Sequence, residues 1–287
     1  MTRRILVVAN PHRDETLEAA RLVADTLGDA VVDVCTELDR MPAGPAEAAL
    51  VLGGDGTMLH AAAMTRGTGI PLLGVNLGRV GFLAELERDD VVHAARRLAD
   101  GDFDIEERGT LDVVVTAPDG TTTHGWALNE ATVERANLRT TVEVALDIDD
   151  HPLSTFGCDG VVVATATGST AHAFSAGGPV LWPEVDAVLV VPLAAHALFS
   201  RPLVVGPTSR VSIEILERSS SDGQVVLDGA RAIDLPRGGR CEVRRGTQPV
   251  RLARMNDAPF SERLVRKFSL PVDGFRGTRR DRWNPEI

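Results

Sequence analysis

At 287 residues the chain can bury a sizeable core and has room for two domains of about 150 residues each. Its formal charge of −11, from 30 basic and 41 acidic side chains, excludes a nucleic-acid surface, where clustered positive charge carries the affinity. The single lysine, Lys267, with no Gly-Lys-Ser or Gly-Lys-Thr anywhere, excludes the lysine-dependent phosphate loop, and the absence of tyrosine excludes the Tyr–Lys acid–base pair of many hydride-transfer enzymes.

The first hundred residues alternate strand and helix. Ile5 to Ala9 reads as a short apolar strand, too short for a secretion signal. Asp14 to Leu27 predicts a helix with Leu17, Ala20, Ala24 and Leu27 on one face and Gly28 as its stop. Val31 to Val34 reads as a strand, Met41 to Pro45 as a linker, and Ala49 to Leu52 as the next strand. A helix follows to about Arg66, then a strand from Pro71 to Val75, a glycine-rich loop from Asn76 to Glu85, and a helix from Asp89 to Ala99. This alternation implies a parallel sheet with helices on both faces, whose ligands gather beyond the carboxyl ends of the strands.

From about Thr110 the period shortens. Leu111 to Thr116, Val142 to Ile148, Gly160 to Ala164, Ala187 to Val191, Arg210 to Ile215, Val225 to Leu227 and Cys241 to Arg244 are β-branched runs. Turn signals such as Pro118-Asp119-Gly120 and Asp149-Asp150-His151-Pro152 separate them. The organisation expected is an α/β domain over residues 1–108, completed by about 253–275, and a β-rich domain over 109–252. The tail from 276 to 287 reads as a solvated, frayed end. Cys35, Cys158 and Cys241, odd in number and far apart, fit reduced core-filling thiols in a cytoplasmic protein. No run approaches the roughly 20 apolar residues that span a bilayer.

Three constellations carry chemistry. Gly53-Gly54-Asp55-Gly56-Thr57 joins a strand to a helix, so its glycines let the backbone approach a phosphate while the opening N–H groups point at it. An ionised Asp55 in such a cradle has two tasks open to it, holding a metal ion that bridges phosphate oxygens or accepting the proton of an attacking hydroxyl. The plainer alternative is a tight turn in which Asp55 caps the helix. Asn129-Glu130, an amide beside a carboxylate, suits ribose hydroxyls or a base edge; alone, such a pair is more often a solvated strand edge. The run from Thr165 through Gly168, Thr170 and His172 to Pro179 is a wall of hydroxyls and glycines, and a hydroxyl-rich turn is its plain alternative. His196, in an apolar stretch, reads as a core histidine.

The order and wording of these motifs resemble the NAD kinase family. The resemblance rests on Gly53 to Thr57, Gly74-Val75-Asn76-Leu77-Gly78, Gly81-Phe82-Leu83, Asn129-Glu130, Gly168-Ser169-Thr170-Ala171, Ser175-Ala176-Gly177-Gly178-Pro179 and Arg201-Pro202-Leu203, and runs from Ile5 to about Gly274. The glycine motif alone is shared with lipid kinases and, more loosely, with phosphofructokinases; a non-catalytic NAD(P)-binding sensor is a further alternative. The resemblance implies a phosphofructokinase-like α/β domain with a parallel sheet, a β-rich second domain, and NAD in the cleft between them. It also implies a homodimer or homotetramer and Mg²⁺ or another divalent cation, with ATP or polyphosphate as donor. By the same resemblance Asp55 is the general base toward the 2′-hydroxyl of the adenosine ribose. Asn129 and Glu130 hold adenosine, Gly56, Leu59, Phe82, Thr170, Ala171 and Ser175 line its pocket, and Asp159 reaches the nicotinamide side of a neighbouring subunit's NAD. Two positions depart from the family wording: Ala166 stands where Pro is usual and His172 where Tyr is usual, which bears on NAD affinity and its pH dependence.

Overall fold

The computed structural model describes residues 3–35, 45–78, 81–256 and 258–272. Its contacts divide the chain into two compact units, Met1–Glu106 with Leu252–Ile287, and Glu107–Arg251. Most of the expected linker at Met41 to Pro45 and the expected tail lie outside the described residues.

The first unit runs β1 (Ile5–Ala9), α1 (Asp14–Leu27), β2 (Val31–Cys35), β3 (Ala48–Leu52), α2 (Asp55–Met64), β4 (Leu72–Asn76), β5 (Leu86–Glu87), α3 (Val91–Asp100) and β6 (Asp104–Arg108). Strands β1, β3 and β4 are buried along their whole length, as continuous apolar runs require when both faces of a parallel sheet are covered. The sheet order is β2-β1-β3-β4, and β1 pairs in parallel with β2 and β3, as β3 does with β4.

Helix α1 has the expected limits and ends at Gly28 with φ of +53°. Its inward face differs from the expected one. Thr16, Ala20 and Val23 are buried, while Leu17 and Ala24 are half-exposed. The Thr16 hydroxyl lies within hydrogen-bond reach of the carbonyls of Asn10 and Arg13 and donates its one hydrogen between them, which satisfies this buried polar side chain. Helix α2 starts at Asp55, within the glycine motif.

The second unit contains β7 (Leu111–Thr116), β8 (Thr122–Ala127), β9 (Glu130–Arg135), β10 (Val142–Ile148), β11 (His151–Cys158), β12 (Gly160–Ala164), the single turn α4 (His172–Ser175), β13 (Val188–Leu193), β14 (Leu203–Val205), β15 (Arg210–Ile215), β16 (Gly223–Leu227), β17 (Arg231–Leu235) and β18 (Arg240–Arg245). Then β19 (Val250–Arg254), which pairs in parallel with β4, leads the chain back to the first unit and α5 (Phe260–Phe268). Two six-stranded antiparallel sheets, β11-β10-β15-β18-β7-β8 and β14-β13-β12-β9-β16-β17, share one core in which Val113, Val115, Val144, Ile213 and Val243 meet Val133, Val161, Val163 and Val225. The alternating burial of β7 and β16 is what one inward face demands. On β12 the intervening residues Val162 and Ala164 are buried too, packed with Ala173 of α4 on the outer face. Asp149 and Asp150, with φ of +53° and +63°, make the two-residue turn between β10 and β11. His151 and Pro152, expected in that turn, are already in β11.

Cys35, Cys158 and Cys241 are buried, and burial pushes the thiols of Cys158 and Cys241 up to about 12. His196 is exposed, contrary to the core role expected; its backbone N–H donates to the Gly157 carbonyl at 2.8 Å.

Candidate active site

In the first unit β3 delivers the chain into the glycine motif, and Gly53 N–H donates to the Val75 carbonyl at 3.0 Å. Asp55 is the first residue of α2, just past the N-cap Gly54, and among the described residues its side chain bonds outside the helix. Instead its Oδ1 and Oδ2 accept from the Phe82 N–H at 3.1 and 3.0 Å, and Oδ1 also accepts from the Leu83 N–H at 3.0 Å. This overturns the helix-cap alternative: the carboxylate fastens the Gly81–Leu83 loop. The backbone at Gly81 passes so close that a Cβ would overlap the Asp55 carboxylate, which would have to shift to admit it.

The loop is tied down from behind as well. Arg254 Nη1 donates to the Leu83 carbonyl at 3.3 Å and lies 3.5 Å from Glu85, while its Nε meets Glu106. The Phe82 ring packs against Phe260 and Phe268 of α5, with centroids 5.9 and 5.8 Å away. Among the described residues Oδ2 of Asp55 accepts only the Phe82 bond, so a lone pair is left for a further donor. No three His, Cys, Asp or Glu side chains among the described residues cluster to hold a metal ion.

In the second unit Asn129 and Glu130 are buried, 7% and 6% exposed, where the chain turns from β8 into β9. The solvated-edge alternative is overturned, because β9 lies inside its sheet between β12 and β16. Asn129 Oδ1 and Glu130 Oε2 are buried with no hydrogen-bond partner, a condition that calls for a ligand or an ordered water. Burial first, and then the neighbouring charge of Asp228, push the Glu130 carboxyl up to about 7, against a backbone hydrogen bond from His172 that lowers it.

The hydroxyl-rich run packs onto this same turn. Thr165 N–H donates to the Asn129 carbonyl at 2.9 Å and Thr165 Oγ1 to the Leu128 carbonyl at 2.7 Å. Gly168 passes so close that a Cβ would overlap the Asn129 carbonyl. Thr170 and Ala171 follow, half-buried, while His172 and Ser175 are exposed on α4. His172 Nδ1 lies 3.4 Å from Thr132 Oγ1. Ala166 lines a separate cavity of about 260 Å³ with Thr110, Thr167, Pro183 and Arg245, and none of the expected site residues borders it.

Asp159 does not join this group. Glu130 pairs with Ala164 at one end of β12 and Glu134 with Gly160 at the other, so Asp159 lies past the far end, about 16 Å along the strand from Glu130. There its carboxylate pairs with Arg135 at 2.5 Å. Sequence reasoning missed Asp228, whose buried carboxylate accepts from the Leu128 and Asn129 N–H groups at 3.0 and 2.7 Å. The signal available was Asp228-Gly229 closing the apolar run Val225 to Leu227, which reads as nothing more than a turn.

Family models for the ATP-NAD kinase N-terminal and C-terminal domains match residues 36–103 and 128–255. The chain is 51% identical to the NAD kinase of Leifsonia xyli subsp. xyli, over 96% of this chain and 97% of the relative. It is 48% identical to that of Thermobifida fusca, over 98% and 93%. Among solved structures it resembles in fold the yeast NADH kinase complexed with NADH, with a TM-score of 0.85 at 22% identity over 97% of this chain and 90% of the other. On the family models and on identity across nearly the whole length, the chain belongs to the NAD kinase family.

Proposed function

We propose that the protein transfers the terminal phosphoryl group of ATP to the 2′-hydroxyl of the adenosine ribose of NAD, forming NADP. The observation that carries this reading is the pair of buried, unpartnered oxygens on Asn129 and Glu130, in a chain whose relatives are NAD kinases. In it, Asn129 and Glu130 hold adenosine with Thr170, Ala171, His172 and Ser175 beside them. Asp55 takes the proton of the attacking hydroxyl on its unshared Oδ2 lone pair, and its amide clamp keeps the carboxylate from rotating away. The transition state of phosphoryl transfer is loose, so positioning and neutralisation of charge supply most of the rate. Gly53, Gly54, Gly56 and Thr57 form the phosphate-facing turn, and a divalent cation travels with the phosphates of the nucleotide.

A cytoplasmic homo-oligomer completes the reading. Asp159, too far along β12 to meet its own chain's adenosine residues, serves a neighbouring subunit's NAD, and the exposed side chains of Leu198 and Phe199 supply apolar surface for that contact. Initial rates with ATP or polyphosphate as donor and NAD or NADH as acceptor, read as product active with an NADP-specific dehydrogenase, test the function. Nucleotide-dependent product from NAD supports it. Binding of NAD without product in any combination refutes it in favour of a sensor.

A further inference from the structure

Asp228 sits in the turn between β16 and β17 with its side chain 3% exposed. Its Oδ1 accepts from the Asn129 N–H and its Oδ2 from the Leu128 N–H and Arg231 Nη2, the last at 2.7 Å. Its own N–H donates to the Glu130 carbonyl at 3.0 Å, so both its backbone and its side chain grip the turn that carries Asn129 and Glu130. Arg231 in turn stacks 4.8 Å over the Trp126 ring.

Two features of Asp228 run against stability. It holds a left-handed backbone, φ of +51°, which costs a non-glycine residue about 1 kcal/mol or more. It also buries a second carboxylate beside Glu130, and its own carboxyl is pushed up chiefly by that burial. An apolar residue would remove the buried charge but would leave the Leu128 and Asn129 N–H groups without an acceptor, free to reorient.

We infer that Asp228 is a positioning residue for dinucleotide binding: it locks the Leu128–Glu130 turn so that Asn129 Oδ1 and Glu130 Oε2 stand ready, unpartnered, for the ligand. This role rests on the proposal that Asn129 and Glu130 hold NAD. It also explains why the two oxygens stay unpartnered: with the backbone of the turn saturated by Asp228, the side chains need not fold back to satisfy it.

The test is calorimetric titration of NAD into the full-length protein. Asp228→Asn, nearly isosteric, sets an amide NH₂ or a weaker carbonyl against two N–H donors, and the affinity for NAD falls about tenfold or more. In a background of Asn129→Ala with Glu130→Gln, the same change costs less than about twofold further, because the groups it positions are gone. Unchanged affinity in Asp228→Asn, or equal losses in both backgrounds, overturns the role; the second outcome assigns Asp228 to general stability. Should Asp228→Asn not fold, Arg231→Gln, which loosens the clamp from its exposed side, shows the same non-additivity at about threefold, and its absence overturns the role equally. If Asn129→Ala with Glu130→Gln itself binds NAD as the wild type does, the underlying site assignment falls along with Asp228. If that pair loses NAD while Asp228→Asn does not, only the Asp228 role falls.

Discussion

Glu130→Gln separates the cost of this site from its use. Glu130 is 6% exposed, so its charge is little screened by solvent, and burial with Asp228 nearby moves its carboxyl from an ordinary 4.5 up to about 7. Between those values the unfolded chain ionises this group and the folded chain does not, so the folded state binds more protons and stability falls as pH rises. Below about pH 4.5 both states are protonated and nothing is lost. Above about pH 7 the loss is complete, roughly 3 kcal/mol for a shift of this size at 1.36 kcal/mol per unit. Glutamine cannot ionise. Apart from a constant offset, the variant therefore gains on the wild type by about 1 kcal/mol at pH 5 and about 3 kcal/mol at pH 8. For a unit the size of Glu107–Arg251, 1 kcal/mol moves Tm by about 3 °C, so the gap between variant and wild type widens by roughly 7 °C across that range. Thermal melts of the ligand-free proteins at pH 5, 6, 7 and 8 measure it. A gap that stays constant with pH, or that narrows toward alkaline pH, refutes the claim that Glu130 is held protonated by its surroundings. The same variant binds NAD more weakly, the usual relation between a strained binding group and stability.

Two further expectations follow from named contacts. His172→Tyr places an aromatic face where an exposed imidazole now lies near Thr132, and it lowers the KM for NAD; an unchanged KM removes this position from the ligand's surroundings. Gly168→Ala drives a methyl into the Asn129 carbonyl, and melting of the second unit shows a loss of about 2 kcal/mol together with most of the NAD affinity; wild-type behaviour in both would show that the two backbones are not in contact.

Where a strand is buried on both faces or alternates cleanly, its residues declare it: Ile5–Ala9, Leu111–Thr116, Val142–Ile148, Gly160–Ala164 and Arg210–Ile215 are read correctly from apolar pattern alone. The strands that pattern does not reveal lie mostly at sheet edges. His151–Cys158, Leu203–Val205 and Arg231–Leu235 each end a sheet and carry polar or exposed side chains, because an edge has little core to face. Glu130–Arg135 escapes for a different reason. It is an interior strand, but it opens on a buried Glu, and a polar residue at a buried position breaks the apolar pattern by which an interior strand is recognised. The glycine motif and the Asn-Glu pair are legible because few residue types allow such close backbone approach. Asp228 is not legible, since its partners are backbone amides one hundred residues away.

The central claim is that Asp55 takes the proton of the attacking hydroxyl, and Asp55→Asn tests it by comparing two numbers in one protein. The account predicts that the turnover of NAD to NADP with ATP and Mg²⁺ falls at least about a hundredfold while the calorimetric Kd for NAD changes by less than about threefold. Equal losses of rate and affinity would confine the Asp55 carboxylate to holding the ligand and the Gly81–Leu83 loop, and undiminished turnover would remove it from the chemistry.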